Sequence, residues 1–425
     1  MLVTRRRGHR ERMDEMLDEG TYDRLRLRQW LAGEAGGFSR RDLLKLTAAM
    51  SAAGLVGATA AGAPARAAAG PIVKPLPPEL FNVLGTNAEM RWSAMADQGY
   101  LVPIDRFFVR NHTSTPIIDP ADWRLRLFGA GLRHGPVDFS YDDLRRLPSE
   151  TITSAVECAG NGRSYFTSQQ GQTVSGTAWK LGGIGVARWR GVRLSTVLRR
   201  AGLGRNAVDV LPSGLDPNFV TGGVDLGPVH RPLPVRKALH DVLLAYEMNG
   251  EPLPADHGRP VRLIVPHWIG IASIKWLGSI EVSDAPLFSP WNTQFYRLFG
   301  ADHPAEGKPF DRQVIKSAFE LDQDAQLPAG EHTRLRGRSW SAGGAIRHVE
   351  VSTDGGTHWR RARKVGGSEG AAWQRWELDW RPAAGEHVLL ARATDVRGNT
   401  QPDTTVHNQL GYLFDAVVRH RVVAA

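Results

Sequence analysis

The single cysteine of this chain is the feature that most constrains its fold and its chemistry. Cys158 is the only cysteine among 425 residues, so no internal disulfide can form, and its sulfur is left for packing, nucleophilic attack or metal ligation. It lies in the stretch Glu157–Arg163, ECAGNGR, where two glycines allow close backbone approach and positive φ. Because Arg163 favours the thiolate over the thiol, the loop suits a soft metal centre or an anion-handling site.

Length and charge set the broad class. A chain of 425 residues predicts two domains, and its 42% hydrophobic and 23% charged residues are typical of a soluble globular protein. The net charge of +9 is not gathered into a basic stretch with interleaved aromatic residues, so nucleic acid binding is not predicted. With one cysteine there is no Cys-x-x-Cys-His motif, and no haem is expected in this chain.

The first 67 residues have the features of an export leader. Ser39–Lys45 resembles a twin-arginine signal, an apolar small-residue stretch runs from Leu46 to about Ala63, and Ala65–Ala67 fits a cleavage site. The stretch is rich in alanine and glycine, which argues against a stable membrane span. We therefore expect a mature protein that starts near residue 68, exported already folded to the periplasm.

A first folded domain is predicted over residues 75–285. The β-branched segment Thr151–Val156 leads directly into the cysteine loop, so Cys158 is expected at the end of a strand. Apolar residues before Arg110-Asn111-His112 predict a buried strand that delivers polar groups to a loop, although surface positions are the alternative. His257, Arg262 and Lys275 place three potential cations near one strand pair, an arrangement suited to a phosphate-bearing group.

The C-terminal part of the sequence has a different residue pattern from that of the first domain. After a connector, residues 286–317, short segments alternate at strand period and are separated by turn signals such as Asp354-Gly355-Gly356. The predicted strands are Thr333–Trp340, Ile346–Ser352, Trp373–Trp380 and His387–Ala393. This spacing predicts an immunoglobulin-like β-sandwich over residues 318–425, without a disulfide. The whole chain is thus predicted to be an α+β protein.

Several of these motifs resemble one known family. Cys-Ala-Gly-Asn followed by arginine resembles the molybdenum-ligand loop of the sulfite oxidase family, and the Phe107–His112 segment resembles a motif at the matching distance upstream. The segments Ala187–Gly191, Gly337–Gly344 and Val351–Trp359 are similar to further motifs of that family. The resemblance extends from residue 100 to about residue 415. It implies a sulfite-oxidase-type molybdopterin domain followed by a dimerisation domain.

The resemblance also implies a molybdenum–molybdopterin cofactor with Cys158 as the metal ligand. The implied catalytic residues are Cys158, Arg110, Arg163, Tyr296 and Trp179. The implied cofactor-binding residues are Phe108, Val109, Arg110, Asn111, His112, Cys158, Asp216, His257, Arg262, Ser273, Ile274 and Lys275. Core packing remains the alternative for Trp179 and Tyr296, and a turn position is the alternative for Asp216.

By the same resemblance, the chain is expected to transfer oxygen to a reduced, sulfite-like sulfur compound and to pass electrons to a separate cytochrome c-type acceptor. Alternatives are a sulfane dehydrogenase subunit, a reductase that runs oxo transfer backwards, and a non-catalytic binding protein. Leu410 stands where the family's Trp-Asn-Leu-Arg-Gly pattern has its arginine, which predicts a pocket not optimised for sulfite. Arg419 or Arg421 could replace that arginine.

Overall fold

The structure, a computed structural model, describes residues 18–33, 71–310, 313–369 and 372–425. The twin-arginine motif, the apolar stretch and the predicted cleavage site lie outside these residues. Among the helices that the structure describes, none combines the length and the apolar character needed to cross a membrane.

The helices are short and the strands numerous. The helices are α1 Glu19–Leu31, α2 Tyr141–Arg146, α3 Ser164–Ser168, α4 Leu194–Arg200, α5 Val235–His240 and α6 Pro290–Thr293, with 3-10 turns at Trp92–Met95, Ile104–Arg106, Ala255–His257 and Gly270–Ala272. The strands before the connector are β1 Phe81–Leu84, β2 Asn87–Met90, β3 Val109–Arg110, β4 Arg124–Phe128, β5 Val137–Ser140, β6 Ser149–Glu157, β7 Ile184–Arg193, β8 Asp209–Gly214, β9 Val220–Thr221, β10 Val224–Asp225, β11 Leu233–Pro234, β12 Leu243–Met248, β13 Glu251–Pro252, β14 Arg262–Ile264 and β15 Leu277–Ser283. The later strands are β16 Arg297–Leu298, β17 Lys308–Pro309, β18 Lys316–Phe319, β19 Ala325–Leu327, β20 Thr333–Trp340, β21 Ile346–Ser352, β22 Arg360–Arg361, β23 Arg363–Val365, β24 Gln374–Trp380, β25 Gly385–Asp395 and β26 His420–Ala424.

Two five-stranded sheets form the frame of the first domain. One has the order β11-β8-β15-β4-β5, in which only the β15–β4 pair is parallel, and the other has the order β13-β12-β7-β6 with β14 also paired to β12. Strand β6 pairs with β7 along its whole length, from Ser149 to Glu157. This ladder fixes the end of β6, and with it Cys158, to a rigid element, as the sequence predicts.

The second domain is a sandwich of two sheets. Their orders are β18-β20-β24-β23 and β19-β26-β25-β21-β22, and the inward residues, including Leu335, Val349 and Trp376, are buried between them. The predicted α+β architecture with a C-terminal β-sandwich is confirmed. The connection from β25 to β26 returns to the first domain, where the Ser175 amide donates to the Gln409 carbonyl at 2.9 Å.

Helix α1 corrects the interpretation of the chain's first 67 residues as a segment outside the fold. Residues 19–31 form a helix that packs on the first domain, next to α6 and β17. Its buried side chains are mainly charged or polar, including Glu19, Asp23 and Arg26. A search for apolar periodicity cannot find such a helix, because the face that it buries is not apolar.

Candidate active site

The cysteine loop is held by hydrogen bonds that its own motif supplies. The Cys158 amide donates to the Gly183 carbonyl at 2.9 Å. Asn161 Nδ2 donates to Glu157 Oε1 at 2.9 Å, and Asn161 Oδ1 accepts from the Gly183 amide at 2.9 Å. The asparagine therefore ties both sides of the loop together, which fixes the direction of the half-buried thiol.

The second domain holds this loop in place through hydrogen bonds to the buried carboxylate of Glu157. Lys316 Nζ donates to Glu157 Oε1 at 2.7 Å and to the Asn161 carbonyl at 2.8 Å, and Trp340 Nε1 donates to Glu157 Oε2 at 3.0 Å. The Glu157 and Lys316 side chains are only 2% and 3% exposed. Both donors come from strands of the sandwich, so the position of Cys158 depends on the packing of the two domains.

A cavity opens beside this loop and collects most of the predicted site residues. Its volume is about 720 Å³, including the space open to solvent at its mouth, a size suited to a cofactor. The predicted residues on its wall are Phe108, Arg110, Asn111, His112, Cys158, Asp216, His257, Arg262, Ser273, Ile274, Lys275 and Tyr296. The sequence did not single out Phe107, Val156, Ala159, Val229, Asp256, Gly270, Ile271 and Trp276, which also line it.

One end of the cavity carries buried cations. Arg262 donates to the carbonyls of His257 and Ser273, both at 3.1 Å, and its guanidinium lies 5.0 Å from the Trp189 ring. Lys275 Nζ donates to Asn111 Oδ1 and to the Asp256 carbonyl. Among the described residues, Arg262 has no carboxylate within ion-pair distance. A buried charge without a counter-ion is costly, so this end is suited to an anionic ligand.

The pKa values at this end follow from burial. Burial lowers the pKa of Arg262 to about 9. Burial, reinforced by the Arg262 charge, lowers the pKa of Lys275 well below its ordinary value. Burial, with the Lys74 charge, lowers the pKa of His257 well below its ordinary value. His257 Nε2 has no hydrogen-bond partner among the described residues, so a bound oxygen acceptor or donor would satisfy it.

His112 is held neutral by its two donors. Its Nε2 lies 3.0 Å from an Arg110 Nη atom and 3.2 Å from Trp291 Nε1. Since arginine and tryptophan nitrogens can only donate, this His112 nitrogen accepts and the proton lies on Nδ1. Burial and the charges of Arg110 and Lys275 lower the pKa of His112 well below its ordinary value, in agreement with that tautomer.

Two stacked tyrosines lie near the cysteine loop, and one of them, Tyr296, lines the cavity. Tyr296, with φ of 58°, stacks on Tyr412 with 5.5 Å between ring centroids and 20° between planes. Burial raises the pKa of both phenols, and a thiolate at Cys158 raises both further. The sequence predicted Tyr296 but missed Tyr412. Tyr412 immediately follows Gly411, in the segment that aligns with the family's arginine pattern, and that position was the available signal.

Arg163 is not on the cavity wall, although the resemblance implies a catalytic role for it. Its Nε donates to the Leu410 carbonyl at 2.7 Å and one Nη to the Thr177 carbonyl at 2.8 Å, while the guanidinium lies 5.1 Å from the Tyr412 ring. A Cβ on Gly160 would stand 2.6 Å from this guanidinium, so a side chain there would push Arg163 out of this position. Arg163 therefore ties the loop that carries Tyr412 to the cysteine loop.

Trp179 and Val109 are also not on the cavity wall. Trp179 is buried behind Phe108, with 6.2 Å between ring centroids, so it supports the wall from the core. Val109 is buried on the opposite side of β3 from Arg110, because successive strand residues face opposite ways.

Neither proposed replacement for the family's arginine reaches the cavity. Arg419 is exposed, and the exposed Arg421 pairs with Asp324 at 2.8 Å. Leu410 is half-buried and contributes its carbonyl to Arg163. Asp216, whose pKa is raised by burial, faces the cavity and accepts from the Val229 amide at 3.3 Å.

Comparison with known proteins agrees with this geometry. Residues 112–291 match the family described as the oxidoreductase molybdopterin binding domain, and residues 314–424 match the Mo-co oxidoreductase dimerisation domain. Human mitochondrial sulfite oxidase is 36% identical over 347 residues, covering 76% of this chain and 62% of that protein. Arabidopsis thaliana sulfite oxidase is 31% identical over 359 residues, covering 77% of this chain and 89% of that protein.

A solved structure also resembles this chain over most of its length. The sulfane dehydrogenase SoxCD from Paracoccus pantotrophus has a TM-score of 0.69 and 27% identity, covering 80% of this chain and 84% of that one. This chain spans about three fifths of the length of the mammalian relatives it matches. The matches to both domains and the identity across three quarters of the chain show that it belongs to the sulfite oxidase family of molybdopterin-dependent oxidoreductases.

Proposed function

We propose that this chain transfers an oxygen atom to a reduced sulfur compound by means of a molybdenum–molybdopterin cofactor. The observation that carries the proposal is one cavity with two chemically different ends. Arg262 and Lys275 lie buried at one end, and the Cys158 thiol faces Tyr296 at the other. An anionic cofactor that also offers a thiophilic metal fits both ends at once.

The residues present fit that cofactor. Arg262, Lys275 and His257 would hold its phosphate, which would supply the counter-charge and satisfy the unpartnered His257 nitrogen. The Cys158 thiolate would be the protein ligand to molybdenum. When bound, the cofactor supplies two-electron oxo transfer, while the protein contributes binding, orientation and electrostatics.

Two side chains at the cysteine end would act on substrate. Arg110 is half-buried, and its guanidinium is oriented by the Asn111 carbonyl at 2.6 Å and by His112, so it would attract an oxyanion. Burial raises the pKa of Tyr296, so its hydroxyl remains protonated at neutral pH and would donate a hydrogen bond to a substrate oxygen. Arg163 would act indirectly, by positioning Tyr412.

A less charged substrate than sulfite is the second candidate, favoured by the residue at the position of the family's arginine. Leu410 stands at the position of the family's arginine, and the nearby cation Arg163 is engaged by two carbonyls. A small dianion would therefore find less positive charge here than in a pocket completed by arginine. This favours a sulfane-type sulfur compound and agrees with the likeness to a sulfane dehydrogenase.

We also propose that the enzyme works as a homodimer and passes its electrons to a separate cytochrome. The match to a dimerisation domain supports the dimer. Export to the periplasm rests on the twin-arginine motif. Changing Arg40 and Arg41 to lysine should leave the protein in the cytoplasm, and unchanged periplasmic activity would contradict export by this route.

The function is tested with a substrate panel. Molybdenum-loaded enzyme is assayed with sulfite, thiosulfate, a protein-bound persulfide, nitrate and a sulfoxide, with cytochrome c or a chemical dye as electron partner. We expect turnover with a reduced sulfur compound and none with nitrate. Turnover only with nitrate or the sulfoxide would favour the reductase, and no turnover by fully loaded enzyme would favour a binding protein.

A further inference from the structure

Helix α1 lies outside both matched domains, yet it buries one complete face. The buried residues are Glu19, Tyr22, Asp23, Arg26 and Leu27, together with Gly20. The five side chains recur at the spacing of a single helical face, i, i+3, i+4, i+7 and i+8. This helix is therefore seated in a groove of the first domain by a face that is mostly charged.

The groove carries charges complementary to that face. Arg231, fully buried, donates to Glu19 at 2.8 Å and to Asp23 at 2.6 Å. One turn further along the helix, Arg26 makes two hydrogen bonds to the buried Asp209, at 2.8 and 2.7 Å. In its first turns the helix presents acidic side chains to a base of the groove, and in its next turn it presents a base to an acid of the groove. The groove therefore accepts the helix in one orientation and one register.

The helix also contacts the backbone that forms the active-site cavity. Glu19 Oε2 accepts from the Ile269 amide at 2.8 Å, and the cavity-lining Gly270 and Ile271 follow directly. A second connection runs from Arg231 to the Trp291 carbonyl at 2.5 Å, and from Trp291 Nε1 to His112. Two walls of the cavity are thus attached to α1.

We propose that residues 19–31 are a retained part of the enzyme, held in the groove even where the chain is cut after Ala67, and that Glu19 is a positioning residue for the cavity loop 269–275. Removal of the helix with a leader would take from Arg231 and Asp209 their ionic partners and would open to solvent a groove that the helix now covers. Loss of one partner of a buried ion pair is strongly destabilising. The groove therefore fits this segment of the same chain, covalently linked or not.

Retention is tested by cutting the linker in purified, molybdenum-loaded protein. A recognition sequence for a specific protease is inserted between Leu55 and Val56, the protein is cut, and gel filtration is followed by mass spectrometry. We expect the N-terminal fragment to elute with the enzyme in equimolar amount. Complete loss of the fragment from cut enzyme that keeps its molybdenum content and melting temperature would overturn the proposal.

A charge swap tests whether the groove works as described. Arg26→Asp should release the cut fragment, and combining it with Asp209→Arg should restore retention. Arg28→Asp, on the exposed side of the same helix, is the matched control and should retain the fragment. Arg26→Asp leaves the first domain unaltered, so the experiment does not depend on whether Asp209→Arg folds alone. Full retention by Arg26→Asp would overturn the ionic docking.

Positioning by Glu19 is tested by hydrogen exchange, which does not require turnover. Glu19→Ala removes the acceptor of the Ile269 amide, so exchange of that amide, followed in a peptide that covers residues 266–276, should become roughly tenfold faster, which corresponds to about 1.4 kcal/mol. Glu19→Gln keeps one acceptor oxygen, which can take the Ile269 amide while the contact with Arg231 is lost, so its exchange should be slower than that of Glu19→Ala. Equal exchange in wild type and Glu19→Ala, with the helix still bound, would overturn the positioning role.

Discussion

The two ends of the cavity are built in different ways. His257, Arg262 and Lys275, at the cationic end, come from one short stretch of the chain, residues 257–275, and the carbonyls that hold the two cations belong to that stretch or, for Asp256, to the residue just before it. The cysteine end combines Cys158 and Tyr296, which lie far apart in the chain, and Tyr412, from a loop of the second domain, supports it by stacking on Tyr296. Cofactor retention should therefore depend on the first domain, and substrate selection on the packing between domains.

The largest effect should follow from breaking the ion pair between the domains. Lys316→Met leaves the Glu157 carboxylate buried without its cation, which costs about 3–5 kcal/mol. The free energy of unfolding, measured with urea, should fall by that amount. Arg334→Met is the control, because the Arg334–Asp379 pair is 44% and 57% exposed and should contribute less than about 1 kcal/mol. Equal losses of unfolding free energy in Lys316→Met and Arg334→Met would show that the interdomain ion pair contributes no more than an exposed one.

Arg262→Met should weaken cofactor retention at the cationic end of the cavity without changing substrate binding at the cysteine end. Loss of a charge-assisted contact of about 1.5–3 kcal/mol should weaken cofactor retention roughly ten- to a hundredfold. Molybdenum content after dialysis measures this, with Arg236→Met, an exposed arginine of α5, as control. The loaded fraction should keep a normal KM for substrate. Unchanged molybdenum content would contradict a phosphate contact at Arg262.

Leu410→Arg tests the other end. Leu410 lies beside Arg163 and Tyr412 rather than on the cavity wall, and a long guanidinium added there should reach the substrate, lower the KM for sulfite about tenfold and leave the molybdenum content unchanged. Val406→Arg adds the same charge at an exposed position of the same loop and should have little effect. If a folded, loaded Leu410→Arg enzyme shows the wild-type KM, a side chain at this position does not reach the substrate.

A smaller effect is expected from pH on enzyme without cofactor. The folded pKa values of Arg262, about 9, and of Lys275 lie below their ordinary values, so the unfolded chain binds more protons. The free energy of unfolding should therefore rise with pH. The contribution of Arg262 to this rise begins at about pH 9, and the contribution of Lys275 continues up to about its ordinary pKa. Melting temperatures between about pH 8.5 and 10.5 should show a shallower slope in loaded enzyme, where a bound anion raises both pKa values. If the melting temperature rises equally steeply with pH in loaded and in cofactor-free enzyme, no anion is bound at Arg262 and Lys275.

The sequence was most informative where structure depends on short stretches of chain. The strand before Cys158 and the strands of the sandwich follow from local patterns, and the structure has them where the sequence predicts. The buried strand predicted before Arg110 is reduced to Val109–Arg110, because a 3-10 turn at Ile104–Arg106 takes up the apolar residues before it. Arg163 was misplaced because its partners, Thr177 and Leu410, are brought to it only by tertiary packing. Helix α1 was missed because its buried face is stabilised by paired charges, which apolar patterning does not register.

The most direct test of the central claim, that Cys158 is the protein ligand to molybdenum at the junction of the two domains, is X-ray absorption at the molybdenum edge. Wild-type and Cys158→Ser enzymes with equal pterin content are compared. We expect the variant to have one sulfur neighbour fewer per molybdenum and turnover reduced to background. An unchanged number of sulfur neighbours, or near-normal turnover by the serine variant, would contradict the account.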